Sequence, residues 1–260
     1  MCSYLILISD YKWDKNLLIE ANKTIISRGP DKTNFKSFVI DGLYFYCFHN
    51  LLDISGRNIL QPLENEQKMM FFNGEIYYPR KANISDTNLI FDNINKGNFP
   101  DFLRKASGEF AITYFDKIKK EINIFTDLIG TKPIYYALKS RAIAIGSYAS
   151  CLEKLRFNGI EQVQPNTHLN ISFKKFGNFK TIKEKIYNLC LEQRVNSFEE
   201  WNKLFLNSLK KRVLHFNTKI FVPLSSGYDS EAICAGLNKL DIPYTTISIG
   251  DHKNKENSKI

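Results

Sequence analysis

The sequence FVIDGLYFYC, residues Phe38–Cys47, places Asp41-Gly42 between two apolar runs. An Asp-Gly pair in this setting is the strongest short signal for a β-hairpin, because both residues tolerate the positive φ of a tight two-residue turn. Further strands are predicted at Tyr4 to Ile8, Lys68 to Phe72, Phe110 to Phe115, Ile122 to Phe125, Ile134 to Leu138, Ala142 to Ile145 and Thr167 to Phe173, and helices at Trp13 to Ile26, Asn88 to Ile94 and Asp101 to Lys105. Many strands with helices between them are typical of an α+β layered domain, which we expect over residues 1–180.

The chain changes character after a polar segment, residues 181–196, which we interpret as a linker. Ser197 and Glu200 form a capping box, and apolar residues then follow one helical face. Next come an apolar strand from Ile220 to Leu224, a loop of small residues, a helix to Leu240 and a strand from Tyr244 to Ile249. Since this order builds parallel sheets, we expect residues 197–260 to form a partial α/β domain.

Composition argues against several classes of function. The net charge of +9 comes from Lys and Arg residues that are scattered, so we expect no nucleic-acid partner. The apolar run from Tyr4 to Ile8 stops at Ser9-Asp10 and lacks a basic leader, so it is too short for a signal sequence or a membrane span. The five cysteines form no Cys-x-x-Cys pair, which favours a reduced, cytoplasmic protein.

Cys2 directly follows the initiator methionine. Removal of Met1 would leave a thiol and a free α-amino group on one residue, and an α-amine with a pKa near ~8 can act as a base close to neutrality. Cys2 therefore combines a candidate nucleophile with its own base. The alternative is that Cys2 is an incidental small side chain at a frayed terminus.

Further motifs place Cys2 in a recognisable context. They are Met1-Cys2-Ser3, Arg28-Gly29-Pro30-Asp31, Asn73-Gly74-Glu75-Ile76-Tyr77, Ser85-Asp86, Asp127 with Gly130 and Lys132-Pro133-Ile134-Tyr135-Tyr136, and Ser225-Ser226-Gly227-Tyr228-Asp229-Ser230. In this order they resemble the glutamine-hydrolysing asparagine synthetase family, from Met1 to about Gly250. The resemblance implies a four-layer αββα N-terminal-nucleophile hydrolase domain followed by a partial, adenine-nucleotide alpha-hydrolase-like domain.

The resemblance also implies a glutaminase site that needs no cofactor. Cys2 would attack the side-chain carbonyl of glutamine, and the Asn73 amide and the Gly74 N–H would stabilise the oxyanion. The expected glutamine-binding residues are Arg28, Asn73, Gly74, Glu75 and Asp86. The alternatives are a tight turn at Asn73-Gly74 after the strand and ordinary surface charge at Glu75 and Asp86.

One stretch departs from the family. The family usually carries an Arg for the substrate α-carboxylate in a His-x-Arg-Leu-like stretch, whereas residues 47–53 read CFHNLLD. Arg57, His49 or backbone N–H groups are the candidate replacements. Thr126 and Tyr148 stand where the family commonly shows Arg and Glu. These departures leave a non-catalytic regulatory or assembly module as an alternative function.

The loop Ser225 to Ser230 resembles the pyrophosphate loop of ATP pyrophosphatases, with Ser226 in place of a glycine. Its expected ligands are ATP, through Ser225, Ser226, Gly227, Asp229 and Ser230, and Mg²⁺, through Asp229. In the family this site adenylates a carboxylate, often that of aspartate, which ammonia then converts to an amide. The alternative is a polar turn that caps a helix beginning at Ser230.

The resemblance therefore predicts a glutamine-dependent amidotransferase with glutamine, ATP and a carboxylate acceptor as partners. The acceptor is aspartate or, alternatively, a sugar acid or a peptide carboxylate. Two helices and two strands after residue 197 are too few to cover a parallel sheet that binds ATP. We therefore expect either a truncated chain or a partner chain that completes the synthetase half.

Overall fold

The computed structural model describes residues 2–54, 57–79, 84–173, 175–213 and 219–249. Met1 and residues 250–260 of the expected second domain thus lie outside the described residues. The chain divides into two compact units, residues 1–189 and 190–260. Within the described residues, no helix is long and apolar enough to cross a membrane.

The described residues of unit 1 form two six-stranded antiparallel sheets and four α-helices. Its strands are β1 (Ser3–Ser9), β2 (Lys32–Ile40), β3 (Leu43–Leu51), β4 (Leu63–Glu64), β5 (Lys68–Tyr78), β6 (Ser107–Asp116), β7 (Glu121–Thr126), β8 (Tyr135–Lys139), β9 (Ala142–Gly146), β10 (Glu161–Gln162), β11 (Thr167–Ser172) and β12 (Lys180–Lys185). Its helices are α1 (Lys15–Lys23), α2 (Asp86–Asn95), α3 (Phe99–Lys105) and α4 (Ala149–Lys154), and a 3₁₀ turn follows α1 at Ile26–Arg28.

The two sheets pack face to face. Sheet A has the strand order β10-β8-β9-β1-β3-β2 and sheet B the order β12-β11-β7-β6-β5-β4. Alternate residues of β1, including Tyr4, Ile6 and Ile8, join the core between the sheets, whereas Leu5 and Leu7 pack against α1 and α4. Helices α2 and α3 cover the outer face of sheet B. This confirms the predicted four-layer αββα fold.

The predicted β2–β3 hairpin is also confirmed. The two strands pair from Ile40↔Leu43 to Lys32↔Leu51, and Asp41 and Gly42 both have positive φ, 50° and 77°. Positive φ at both turn residues is the geometry that matches the twist of the flanking strands.

The first part of the predicted linker is a strand in the structure, so this part of the prediction is wrong. Residues 181–185 belong to β12, which pairs with β11 from Thr167↔Lys185 to Ser172↔Lys180. All six residues of β12 are exposed. Because β12 is an edge strand rich in lysine, its sequence lacks the apolar pattern by which a strand is recognised.

Unit 2 contains α5 (Glu199–Val213), β13 (Phe221–Pro223), α6 (Tyr228–Lys239) and β14 (Thr245–Ile247). Strands β13 and β14 pair in parallel, as the sequence predicted. Gly236 of α6 lies so close to α5 that a Cβ atom there would be 2.4 Å from Leu209 Cδ1. Glycine therefore permits the close packing of the two helices.

Candidate active site

Cys2 precedes β1, which lies in the middle of sheet A between β3 and β9. The Leu52 N–H donates to Cys2 Sγ at 3.5 Å, and the thiol lies 3.8 Å from the Leu52 carbonyl. Burial raises the pKa of the Cys2 thiol, the Leu52 contact lowers it, and the carboxylates of Glu75 and Asp86 raise it further. The thiol is therefore fixed in place and remains protonated unless a base removes its proton.

Asn73 and Gly74 do not form the tight turn that we considered, because β5 continues through them to Tyr78. They pair with β6 as Asn73↔Ala111 and Gly74↔Phe110. Gly74 has a φ of 152°, and a Cβ atom there would be 2.0 Å from the Glu109 carbonyl oxygen. Glycine is thus required by a close approach of two strands, which Asn-Gly in a sequence does not distinguish from a turn.

The Asn73 side chain is buried, with a relative exposure of 3%. Its Oδ1 atom has no hydrogen-bond partner among the described residues. Buried amide groups are normally satisfied, and exceptions concentrate at sites with a role beyond folding. The unpaired atom is an acceptor, so it is not itself one of the predicted oxyanion donors.

Asp86 begins α2, where Ser85 caps the helix by accepting from the Asn88 N–H at 3.1 Å. Asp86 also reaches β5, where its Oδ2 accepts from the Ile76 N–H at 3.3 Å. The carboxylate thereby joins the helix to the strand that carries Glu75.

A cleft of about 440 Å³ gathers most of the predicted residues. It is lined by Cys2, Leu51, Leu52, Asp53, Ile54, Ile59, Gln61, Phe72, Gly74, Glu75, Ser85, Asp86 and Thr87. The structure thus brings the thiol, the strand at Gly74 and the carboxylates of Glu75 and Asp86 to one opening. A thiol facing two carboxylates suits a small substrate with an electrophilic carbon and an ammonium group.

Glu75 lies directly opposite Glu109 on β6. Like charges at opposed positions are destabilising, and Lys132 offsets them because its Nζ lies 2.9 Å from Glu109 Oε2. The hydroxyl of Tyr77 also donates to Glu109. Glu109 has no signal in the sequence, since only strand register shows that it faces Glu75.

Arg28 is not among the residues that line the cleft in the described part of the chain. Its guanidinium lies over the ring of Tyr148, 5.6 Å from the centroid. Tyr148 stands where the family commonly shows Glu, so a cation–π contact occupies this place. Thr126, the other departure, is buried, donating to the Gln164 carbonyl at 2.7 Å and accepting from the Thr167 N–H at 3.0 Å.

Asn50, in the stretch that lacks the family's Arg, is fully buried and points toward α1. Its side chain bonds Asn22 in both directions, at 2.9 and 3.1 Å. It also donates to Ser3 Oγ at 3.0 Å and accepts from Thr33 Oγ1 at 2.9 Å. These bonds attach the start of β1 to α1, so Asn50 serves the fold.

His49 is buried, and its Nδ1 accepts from the Gln61 N–H at 3.3 Å. Burial lowers the pKa of His49 to about 4. The ring is therefore neutral near pH 7 and supplies no positive charge for a carboxylate.

Gln61 also lines the cleft, although its sequence context predicts no role for it. Its side chain accepts from the Phe72 N–H at 2.6 Å and donates to the Phe72 carbonyl at 3.0 Å. Phe72 directly precedes Asn73, so Gln61 fixes the main chain that leads into the predicted oxyanion donors. A single polar residue before Pro62 gives no sequence signal for such a contact.

The loop of unit 2 follows β13 and leads into α6, which begins at Tyr228 rather than at Ser230. Ser230 accepts from the Ser225 N–H at 3.2 Å and donates to the Gly227 carbonyl at 3.0 Å. Asp229 lies in the first turn of α6. The loop is thus an exposed turn of small residues at the N-terminus of α6.

Among the described residues no group of three or more His, Cys, Asp or Glu side chains could hold a metal ion.

Curated proteins similar to this chain include a proposed glutamine-hydrolysing asparagine synthetase of Methanocaldococcus jannaschii. It is 26% identical over 278 residues, which cover 90% of this chain and 51% of that protein. The glutamine-hydrolysing asparagine synthetase of Rattus norvegicus is 24% identical over 270 residues, which cover 87% of this chain and 47% of the relative. The chain thus spans about half the length of the curated relatives that it matches.

Among solved structures, glutamine phosphoribosylpyrophosphate amidotransferase from B. subtilis, complexed with ADP and GMP, has a similar fold. It has a TM-score of 0.55 and a sequence identity of 13%, and the match covers 94% of this chain and 65% of that chain. A second structure, described as the allosteric regulatory enzyme of purine biosynthesis, also has a TM-score of 0.55. Its sequence identity is 12%, and the match covers 99% of this chain and 70% of that chain.

The family match agrees with the arrangement of the cleft and covers the whole of unit 1. Residues 1–196 match the glutamine amidotransferase domain, and the chain therefore belongs to the glutamine amidotransferase domain family and is related to the glutamine-hydrolysing asparagine synthetases.

Proposed function

We propose that the chain hydrolyses glutamine to glutamate and ammonia at Cys2, and that the ammonia is used to amidate a carboxylate activated by ATP. The observation that carries the proposal is the cleft that Cys2 shares with Gly74, Glu75 and Asp86. Glutamine presents an amide carbon to the thiol and an α-ammonium group to the two carboxylates.

In the first step Cys2 Sγ forms a bond to the amide carbon of glutamine. The carbonyl oxygen becomes an oxyanion, which accepts hydrogen bonds from the Asn73 side-chain amide and the Gly74 N–H. One such donor typically contributes about 3 kcal/mol to transition-state stabilisation. The carbon–nitrogen bond then breaks, ammonia leaves and a thioester remains, which water hydrolyses to glutamate with return of the thiol.

The proton transfers need a base, because burial raises the pKa of the Cys2 thiol. The α-amino group of Cys2 fills this role once Met1 is removed, since an α-amine titrates near ~8. It takes the thiol proton and delivers it to the departing nitrogen. No cofactor is needed for these steps.

For the second half of the reaction, ATP would be held at the loop of unit 2. Ser225, Ser226, Gly227 and Ser230 would hold the phosphates, and Asp229 would contribute to holding Mg²⁺. When bound, ATP activates the acceptor carboxylate by adenylation. The acceptor is aspartate by analogy with the relatives, with a sugar acid or a peptide carboxylate as alternatives. A partner chain or further sequence would complete this half.

The test is intact-mass spectrometry before and after incubation with a diazo ketone that mimics glutamine and alkylates a working thiolate. We expect loss of Met1 and one adduct in the wild-type protein, and no adduct or ammonia release in Cys2→Ala. Cys190→Ser is the matched control, because Cys190 is an exposed cysteine of unit 2. Retained Met1 or ammonia release by Cys2→Ala would contradict the mechanism, and an unreactive Cys2 would favour a non-catalytic regulatory or assembly module.

A further inference from the structure

Two buried polar atoms have no hydrogen-bond partner among the described residues. They are Nε2 of His49 and Oδ1 of Asn73. The relative exposure of His49 is 0% and that of Asn73 is 3%. A buried polar atom without a partner costs free energy, so each of the two requires an explanation.

The contacts of His49 identify its unpaired atom as a donor. Nδ1 accepts from the Gln61 N–H at 3.3 Å and therefore carries no proton. Burial lowers the pKa of His49 to about 4, so near pH 7 the ring is neutral and its one proton is on Nε2. His49 thus has a buried N–H group to donate, and Asn73 has a buried oxygen to accept.

His49 faces the space between the two sheets. It lies two residues from Cys47 on β3, and Cys47 belongs to the core between the sheets. Alternate residues of a strand share a face, so His49 points the same way. His49 also lies opposite Tyr4 of β1, whose ring centroid is 5.5 Å from that of Phe71 on β5. This part of sheet A therefore meets β5 of sheet B.

Asn73 faces the same space from sheet B. It lies two residues from Phe71 on β5 and opposite Ala111 on β6, and both of these residues belong to the core between the sheets. Facing sheets are typically about 10 Å apart, a distance that an imidazole from one sheet and an amide from the other nearly fill.

Gln61 holds His49 close to the strand that carries Asn73. Its main-chain N–H donates to His49, and its side chain makes two hydrogen bonds to the main chain of Phe72, at 2.6 and 3.0 Å. Phe72 directly precedes Asn73. The unpaired donor and the unpaired acceptor are thus attached to the same short stretch of β5.

We infer that the Nε2–H group of His49 is hydrogen-bonded to Oδ1 of Asn73, either after a small side-chain rotation or through one buried water molecule, and thereby orients this amide. An amide that is held by its oxygen directs its NH₂ group elsewhere, here to the predicted oxyanion beside Gly74, which lines the cleft. This inference rests on the glutaminase function proposed above. His49 is a positioning residue, because it acts on the reaction through Asn73.

Two substitutions of His49 separate its two nitrogen atoms. His49→Asn keeps an acceptor near the place of Nδ1, but its side chain is too short to donate from the place of Nε2. His49→Gln is long enough to accept from Gln61 and to donate toward Asn73. Trp13→Phe is the matched control, because Trp13 Nε1 is also buried without a partner among the described residues but packs with the core between sheet A and its helices.

The first measurement is ammonia release from glutamine. In His49→Asn we expect kcat to fall about tenfold with KM nearly unchanged, because the oxyanion forms only after glutamine has bound. His49→Gln should recover most of the loss, and Trp13→Phe should match the wild-type protein. Asn73→Ala keeps the Gly74 N–H as a donor, and in that background His49→Asn should cause no further decrease. An equal decrease in both backgrounds would overturn the inference.

The second measurement is ¹⁵N NMR, which does not depend on turnover. The side-chain amide signal of Asn73, assigned by its absence in Asn73→Ala, should shift in His49→Asn and return toward its wild-type position in His49→Gln. The ring signals of His49 should show the proton on Nε2. A proton on Nδ1, or an Asn73 signal that is the same in the wild-type protein and His49→Asn, would overturn the inference alone. A wild-type protein that releases no ammonia would overturn the glutaminase function and with it the role of this contact.

Discussion

The side chain of Gln61 makes two hydrogen bonds to the main chain of Phe72, as a neighbouring strand would. It accepts from the Phe72 N–H at 2.6 Å and donates to the Phe72 carbonyl at 3.0 Å. Gln61→Leu leaves both main-chain groups buried without these partners, at a cost of roughly 1–3 kcal/mol for each group. We expect a lower free energy of unfolding, measured in urea, and a lower kcat, because the chain at Asn73 loses its alignment. Gln61→Glu, which keeps the acceptor for the Phe72 N–H, should lose less of both. Equal unfolding curves for wild type and Gln61→Leu would contradict this role.

Gly74→Ala should destabilise the protein more than an alanine at another glycine with positive φ. Its Cβ would lie 2.0 Å from the Glu109 carbonyl oxygen, which belongs to the main chain and has little room to move. The control is Gly97→Ala, because Gly97 has a φ of 75° and open space where a Cβ would be. In equilibrium unfolding we expect the free energy of unfolding to fall by about 1 kcal/mol in Gly97→Ala and by at least twice that in Gly74→Ala. Similar losses of unfolding free energy in the two variants would show that the positive φ, and not the close approach of the strands, accounts for the cost of alanine at position 74.

His49 should make the stability depend on pH. Burial lowers its pKa from 6.5 to about 4, so the unfolded chain binds a proton more readily than the folded protein. The contribution of the neutral His49 to the free energy of unfolding is fully present above pH ~6.5, and it falls by up to about 3 kcal/mol as the pH decreases to 4. We expect urea unfolding between pH 7 and pH 4 to show a smaller decrease in His49→Gln, which can still accept from the Gln61 N–H. The same pH dependence in both proteins would contradict the buried, neutral ring.

Asn50→Arg should not improve the use of glutamine, although it introduces an arginine into the stretch where the family usually has one. The side chain of Asn50 lies among Asn22, Ser3 and Thr33, which accept and donate its hydrogen bonds. A guanidinium there would be buried without a carboxylate, which typically costs several kcal/mol. We expect a lower melting temperature and an unchanged or higher KM. A lower KM for glutamine would show that this position faces the substrate.

Much of the fold could be predicted from the sequence, because its signals are local. Asp41-Gly42 marked the first hairpin, and the apolar run from Tyr4 to Ile8 predicted the buried strand β1, whose two faces pack in two cores. The parallel pairing of β13 and β14 followed from the strand, loop, helix and strand order. By contrast, β12 was missed because its residues are polar and exposed.

The parts of the site that depend on distant residues could not be predicted in the same way. Asn73-Gly74 has the composition of a turn, but it lies in β5, and the residues of β6 that it faces are specified only by strand register. The bonds of Gln61 to Phe72 and the burial of Asn50 require the folded structure. The groove lined by Arg57, Ile59, Ser85 and Asn88, which shares Ile59 and Ser85 with the cleft, also required the folded structure.

The central place of β1 in sheet A bears on protein synthesis. One of its neighbours, β3, follows closely in the chain, but the other, β9, comes much later, and the Tyr4 N–H bonds Ser147 across 143 positions. A nascent chain therefore cannot complete the sheet around Cys2 until the ribosome has passed β9. We expect glutamine hydrolysis to begin late in translation, so that unfinished chains do not consume glutamine.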